Sequence, residues 1–186
     1  MENEKRTMKV MEGSASPLIY IRKVKDKRIE SLNEMFQMPV VALRADLPVT
    51  MKGSPEEGII LSELEKALKR TLGNKLLFEE TYESGVTREI LFVVRGDAHI
   101  YKENAVFTEE SHPLGKFSDI DIYECQEEFP ISRLEMGYAP RECCICGDER
   151  VKCSTEKRHV DTEIESYIRH EIKIYLEETA DKVRRV

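Results

Sequence analysis

The chain has 186 residues, enough for one domain with its own core, and its 40% apolar and 35% charged residues suit a soluble, highly charged globular protein. A formal net charge of -7 argues against a general nucleic-acid binder, whose affinity comes from basic surfaces that neutralise phosphates. No stretch approaches the roughly 18 apolar residues of a membrane span, and Met1-Glu2-Asn3-Glu4-Lys5-Arg6 lacks a secretory apolar run, so a cytoplasmic protein with no membrane partner is expected.

Residues 1–16 are polar and lead into Pro17, which predicts a flexible tail ahead of a single domain over 17–186. A helix is expected over 22–37, opening on the basic cluster Arg22, Lys23, Lys25, Lys27 and Arg28, with Ile29, Leu32, Met35 and Phe36 as its apolar stripe. Val40-Val41-Ala42-Leu43 reads as a short buried strand. Ser54, Pro55 and Glu57 form a helix start of the capping-box kind, followed by an apolar face of Ile60, Leu64, Ala67, Leu68 and Leu72 and a Gly73-Asn74 stop. Residues 75–82 and 87–94 read as a hairpin pair, with the apolar run Ile90 to Val94 placed centrally in a sheet. A helix follows over 97 to about 110, with Ile100, Tyr101, Ala105 and Phe107 or Thr108 near the sheet. The last helix is predicted over 161–182, its face Ile164, Ile168, Ile172 and Tyr175 packed in the core. The resulting class is α/β or α+β: a mixed sheet with helices packed on it.

Two motifs carry chemistry. After the turn Pro113 to Gly115, the segment Ser118-Asp119-Ile120-Asp121-Ile122-Tyr123 alternates, so a strand puts Asp119 and Asp121 on one face and both isoleucines on the other. Paired carboxylates are costly unless a cation lies between them; Mg²⁺ carrying a phosphorylated ligand would relieve the repulsion, and a solvated edge strand is the alternative. Further on, Cys143-x2-Cys146-x6-Cys153-x5-His159 offers three thiols and an imidazole suited to a structural Zn²⁺, with Cys144 facing away; small buried thiols beside a surface histidine are the alternative. This Cys-rich segment spans 141–159.

Taken together, His112-Pro113-Leu114-Gly115-Lys116-x-x-Asp119-Ile120-Asp121, then Ser132-Arg133, then Arg141-x-Cys143-x2-Cys146, Cys153, Lys157 and His159 resemble the apo-citrate lyase phosphoribosyl-dephospho-CoA transferase family. The aspartate strand is also similar to the metal-binding strand of nucleotidyltransferase-fold enzymes, which implies a nucleotidyltransferase-like core. The family resemblance implies transfer of 2'-(5''-triphosphoribosyl)-3'-dephospho-CoA to a serine of the acyl-carrier (gamma) subunit of citrate lyase, with release of pyrophosphate.

Carried onto this chain, the resemblance implies Mg²⁺ on Asp119 and Asp121, one of which could take the serine proton. It implies Gly115 as a point of close phosphate approach, and Lys102, Lys116, Arg133, Arg141 and Lys157 as donor-binding cations. Lys116 stands where the family more often has arginine. Glu109 is either a third carboxylate or an ordinary surface glutamate. His112 is a phosphate contact, a base or a turn cap. The basic cluster at 22–28 could steer an acidic acceptor or be a solvated helix face. Two other readings stay open: a zinc-stabilised binding module without catalysis, and the related malonate-decarboxylase cofactor transferase.

Overall fold

The computed structural model describes residues 27–84 and 87–184. The expected tail at 1–16, Arg22, Lys23 and Lys25 of the basic cluster, and Gly85-Val86 of the hairpin lie outside the described residues. In chain order the elements are α1 (Lys27–Phe36), β1 (Val40–Ala45), α2 (Pro55–Leu72), β2 (Leu76–Ser84), β3 (Thr87–Val94), α3 (Ala98–Ser111), β4 (Ser118–Tyr123), α4 (Arg150–Thr155) and α5 (Asp161–Arg184). The class is α+β, as expected. No described helix is long and apolar enough to cross a membrane.

The four strands lie in the order β2-β3-β1-β4, and every pairing is antiparallel. The mixed sheet expected from alternating helices and strands is therefore corrected. Strands β3 and β4, which flank α3 in sequence, do run the same way, but β1 lies between them and pairs with both.

Local sequence sets most helix boundaries. Ser54 Oγ accepts from the Glu57 amide at 3.3 Å, while Glu57 accepts from the Gly53 amide at 2.7 Å, so the capping box of α2 closes one residue outside its usual place. Gly73, at φ 50°, ends that helix in a conformation that side chains disfavour. Asp97 caps α3 through the His99 amide at 2.8 Å. Ile60, Leu64, Leu68 and Leu72 of α2, Tyr101 and Ala105 of α3, and Ile168 and Ile172 of α5 pack with Val41, Leu43, Phe92, Ile120 and Ile122 into one core on one face of the sheet. Two expected core positions are corrected, Met35 and Ile100 being 67% and 56% exposed; of the pair Phe107 or Thr108, Thr108 is the buried one. Buried Asn33 stands in place of Met35 on α1, donating from its carboxamide to the carbonyls of Met38 and Tyr123 at 2.8 and 3.4 Å. On α3 the inward positions are Tyr101, Lys102, Ala105, Thr108 and Glu109.

The other face carries α1, and its residues follow from strand register. One rung is Val40, Val93 and Tyr123; the next is Ala42, Leu91 and Asp121; the third is Arg44, Glu89 and Asp119. Ile29 and Leu32 of α1 cover the apolar rungs. Two residues further along each strand the same face turns charged, because side chains return to one face with period two. That change from apolar to charged along one face positions the candidate site.

Candidate functional site

Arg44 is the hub of the charged rung. Its guanidinium donates to Glu89 Oε1 at 2.9 Å, to Asp119 Oδ2 at 3.2 Å, and to Asp121 Oδ2. Arg44, Glu89 and Asp121 are all buried. Burial opposes the guanidinium charge, but Asp121, Asp119 and Glu89 outweigh it and hold its pKa above the ordinary arginine value. The same burial, with Asp121 nearby, pushes the Tyr123 hydroxyl upward.

Arg141 reaches the cluster from the segment beyond β4. It donates to the Ser118 carbonyl and lies 3.5 Å from Asp119 Oδ1, 3.9 Å from Glu109 Oε1 and 3.9 Å from Asp46 Oδ2. Asp119 thus has one carboxylate oxygen toward Arg44 and the other toward Arg141, and it is more exposed than Asp121.

The chemistry of these donors admits a divalent cation. Asp119 Oδ2 and Asp121 Oδ2 both contact one nitrogen, Nη2 of Arg44, so two hard oxygens from one strand face converge on a single cationic centre. That convergence matches the one or two carboxylates that Mg²⁺ draws from protein. In this structure the Arg44 guanidinium supplies the positive charge between the two carboxylates.

Glu109 and Lys102 serve the free edge of β4. Glu109 Oε1 accepts from the Ile120 amide at 2.9 Å, and Lys102 Nζ donates to the Ile120 carbonyl at 3.3 Å. Buried backbone groups need such partners, so α3 satisfies an edge that no described strand covers. Burial raises the Glu109 pKa, with Arg141 and the Ile120 amide acting in the opposite direction. Arg133 binds Glu109 Oε2 at 3.0 Å and also pairs with Glu110.

The turn before β4 goes elsewhere. Lys116 Nζ donates to Tyr167 Oη at 2.9 Å and Glu171 Oε2 at 2.7 Å, both on α5. His112 Nδ1 accepts from the Leu114 amide at 3.1 Å, and its ring lies 5.6 Å from that of Tyr175. Both residues therefore sit with α5, on the face opposite Asp119 and Asp121; His112 adopts the turn-capping alternative. Burial lowers the His112 pKa, so the folded state favours the neutral ring that can accept this bond. The folded value is depressed, so this contribution is present above the free-histidine value of about 6.5 and is lost as pH falls through the folded value. The drop in urea midpoint between about pH 7.5 and about pH 5.5 should accordingly shrink in His112→Asn; an unchanged drop would exclude His112 as its source.

Gly115 has a packing reason that its sequence motif did not reveal. A Cβ there would lie 2.4 Å from the Thr108 carbonyl oxygen and 2.6 Å from that of Glu109, both backbone atoms at the end of α3. Gly115→Ala should destabilise the fold by roughly 1–3 kcal/mol in urea titration; unchanged stability would mean that the turn relaxes freely.

A second cluster lies beyond Arg141. Cys143 Sγ, Cys146 Sγ, Cys153 Sγ and a ring nitrogen of His159 all fall within 4.8 Å of one another. Such thiolate and imidazole donors suit zinc. None of the five cysteines is in a disulfide, and Cys144 packs against the main core, facing away as expected. Lys157 is exposed, and at φ 50° it turns the chain between Cys153 and His159. It borders a groove of about 650 Å³ beside this cluster rather than the aspartate face. Of the 22–28 cluster, Arg28 pairs with Glu80 on β2.

Sequence reading missed Arg44, Glu89 and Asp46. The available signal was a lone arginine directly after an apolar strand, since buried charges require partners.

Residues 15–175 match the family described as apo-citrate lyase phosphoribosyl-dephospho-CoA transferase. The chain is 29% identical over 144 residues to protein CitXG of Leuconostoc mesenteroides subsp. cremoris, an alignment covering 74% of this chain. The alignment spans only 30% of that longer relative. It is 23% identical over 145 residues to the probable apo-citrate lyase phosphoribosyl-dephospho-CoA transferase of Streptococcus pyogenes serotype M3, covering 76% of each. Against the apo-citrate lyase phosphoribosyl-dephospho-CoA transferase of Escherichia coli O139:H28 the identity is 27% over 99 residues, covering 53% of this chain and 54% of that one.

Proposed function

The chain belongs to the apo-citrate lyase phosphoribosyl-dephospho-CoA transferase family, and on that premise we propose that it attaches the triphosphoribosyl-dephospho-CoA precursor to a serine of the acyl-carrier (gamma) subunit of apo-citrate lyase. The serine hydroxyl attacks the α-phosphate, a phosphodiester forms, the α–β anhydride bond breaks and pyrophosphate leaves. This is nucleotidyltransferase-type chemistry. The observation that supports it best is the convergence of Asp119 and Asp121 on one cationic centre, with Arg141 alongside.

In this reading Asp119 and Asp121 hold Mg²⁺, and Arg44 keeps the pair aligned from the neighbouring strand. The ion supplies charge neutralisation for the triphosphate. Arg141 adds positive charge at the Asp119 side, where phosphate oxygens would meet it. Asp119 has the greater exposure of the two and is the better placed to take the serine proton. Lys116 and His112 stay outside this constellation and keep structural roles at the α5 side. Alignment and charge neutralisation are the principal contributions, because phosphoryl transfer leaves little covalent work to the protein. Reduced cysteines fit a cytoplasmic setting.

Purified protein, the triphosphoribosyl donor, Mg²⁺ and the apo acyl-carrier subunit should together yield an acceptor heavier by the mass of the prosthetic group. An unmodified acceptor with competent reagents would overturn the proposal. Modification of the malonate-decarboxylase carrier in preference to the citrate-lyase subunit would reassign the acceptor.

A further inference from the structure

We propose that Cys143, Cys146, Cys153 and His159 bind one zinc ion, and that this ion locks the hairpin bearing Arg141 and Arg150 against β4 and Asp46. The donor geometry carries the first half. Cys146 Sγ and Cys153 Sγ are 4.0 Å apart, and all four ligand atoms lie within 4.8 Å of one another. Tetrahedral thiolates at about 2.3 Å from zinc stand about 3.8 Å from each other.

The imidazole supplies an independent indication. His159 Nε2 is buried without a hydrogen-bond partner, whereas Nδ1 lies 3.3 Å from Glu163 Oε2. A carboxylate on one ring nitrogen and an open second nitrogen facing thiols is the arrangement of a metal-binding histidine with its orienting partner. Four protein ligands leave no open position, so the ion is structural.

The second half follows from what the metal loop joins. Arg150 N donates to the Arg141 carbonyl at 2.8 Å, Glu142 bridges to Glu149, and Cys143 N donates to the Asp148 carbonyl at 2.6 Å. Cys143 and Cys146 thus lie within the loop of a small hairpin, and Arg141 and Arg150 are on its two legs. Arg150 begins α4, which carries Cys153. The two arginines meet at Asp46 Oδ2, which Arg150 pairs with and which lies 3.9 Å from Arg141. Beyond it Arg141 goes to Ser118, Asp119 and Glu109, while Arg150 donates to the Lys116 carbonyl at 3.2 Å. Few apolar contacts fix this segment: among the described residues of 141–159, only Cys153 is buried. A metal crosslink therefore sets the position of Arg141. Its effect on transfer rests on the reaction proposed above; the metal and the ordering of the hairpin do not.

The intact protein, purified without chelator from zinc-supplemented cells, should contain about one zinc per chain. Replacement by Co²⁺ should give the near-ultraviolet thiolate charge-transfer band and intense visible bands of a tetrahedral site. Glu163→Gln should weaken zinc by about 10-fold in a chelator competition, and Cys144→Ser should leave it unchanged. Metal-free protein, or cobalt bands that persist in both Cys146→Ser and His159→Asn, would overturn the site.

Hydrogen exchange tests the positioning. After chelation, the Arg150 and Cys143 amides should exchange at least 10-fold faster, while the Val41 to Leu43 amides keep their protection. Equal protection at Arg150 and Cys143 with and without zinc would overturn the positioning role. Both readouts are independent of transfer, so an inactive enzyme with normal zinc and zinc-dependent protection would count against the proposed reaction and in favour of the metal site.

Discussion

Asp121→Asn should lower the rate of acceptor modification on the order of 10³-fold, equivalent to about 4 kcal/mol of transition-state stabilisation. The substitution keeps the shape of the side chain and an oxygen for Arg44, but removes one of the two charges that converge on the cation position. The sheet around it rests on apolar residues, with Ala42 opposite Asp121 and Ile120 and Ile122 in the core behind it. Folding should survive, visible as unchanged far-ultraviolet circular dichroism and a cooperative urea transition. On the proposed metal role, higher Mg²⁺ should recover part of the lost rate. A fully active Asp121→Asn enzyme would remove the metal role from this strand.

Arg44→Met should destabilise the protein by roughly 3–5 kcal/mol, because it leaves Glu89, Asp119 and Asp121 facing one another without their shared cation. Part of this loss comes from uncompensated charge rather than from lost packing. Adding Glu89→Leu to Arg44→Met should therefore recover a measurable fraction of the stability, a coupling that a double-mutant cycle reads directly. Glu89 Oε2 is already buried without a partner, which increases the cost of leaving that carboxylate behind. The variant also reports on the cation: Mg²⁺ should raise its melting temperature more than that of the parent, as an ion takes the place of the guanidinium. A melting temperature insensitive to both Glu89→Leu and Mg²⁺ would show that the carboxylates are adequately solvated without Arg44.

The elements legible in sequence were those specified by local chemistry. Ser54 to Glu57 announced α2, Gly73 ended it, and the alternation of Asp119 to Tyr123 announced a strand with both isoleucines inward. Arg44 was not legible for a physical reason. Its partners are 45, 75 and 77 residues away, on strands whose register is set only when the sheet forms. Reading the apolar run as ending at Leu43 placed this arginine outside the strand, although β1 continues to Ala45.

His112 and Lys116 were not separable from the aspartates by sequence. The resemblance implied donor-side roles for both, with a turn cap as the alternative for His112, whereas the turn at 112–117 lies on the helix side of the sheet and the aspartates project from the other face. Gly115 shows a related ambiguity: its small size is needed by two carbonyls of α3, a requirement that no spacing rule reveals.

The place of β1 between β3 and β4 has a consequence for how the protein is made. This early strand finds both neighbours downstream, and its second edge stays bare until residues 118–123 have emerged and docked. Contacts so distant in sequence close slowly, because the intervening chain must first lose its freedom. Until then Val40 to Ala45 presents an apolar, pairing-competent ribbon of the kind that chaperones shield and that aggregates when they do not. The carboxylate pair and its arginine come together in that same docking step, so the charged rung cannot form before β4 has been made.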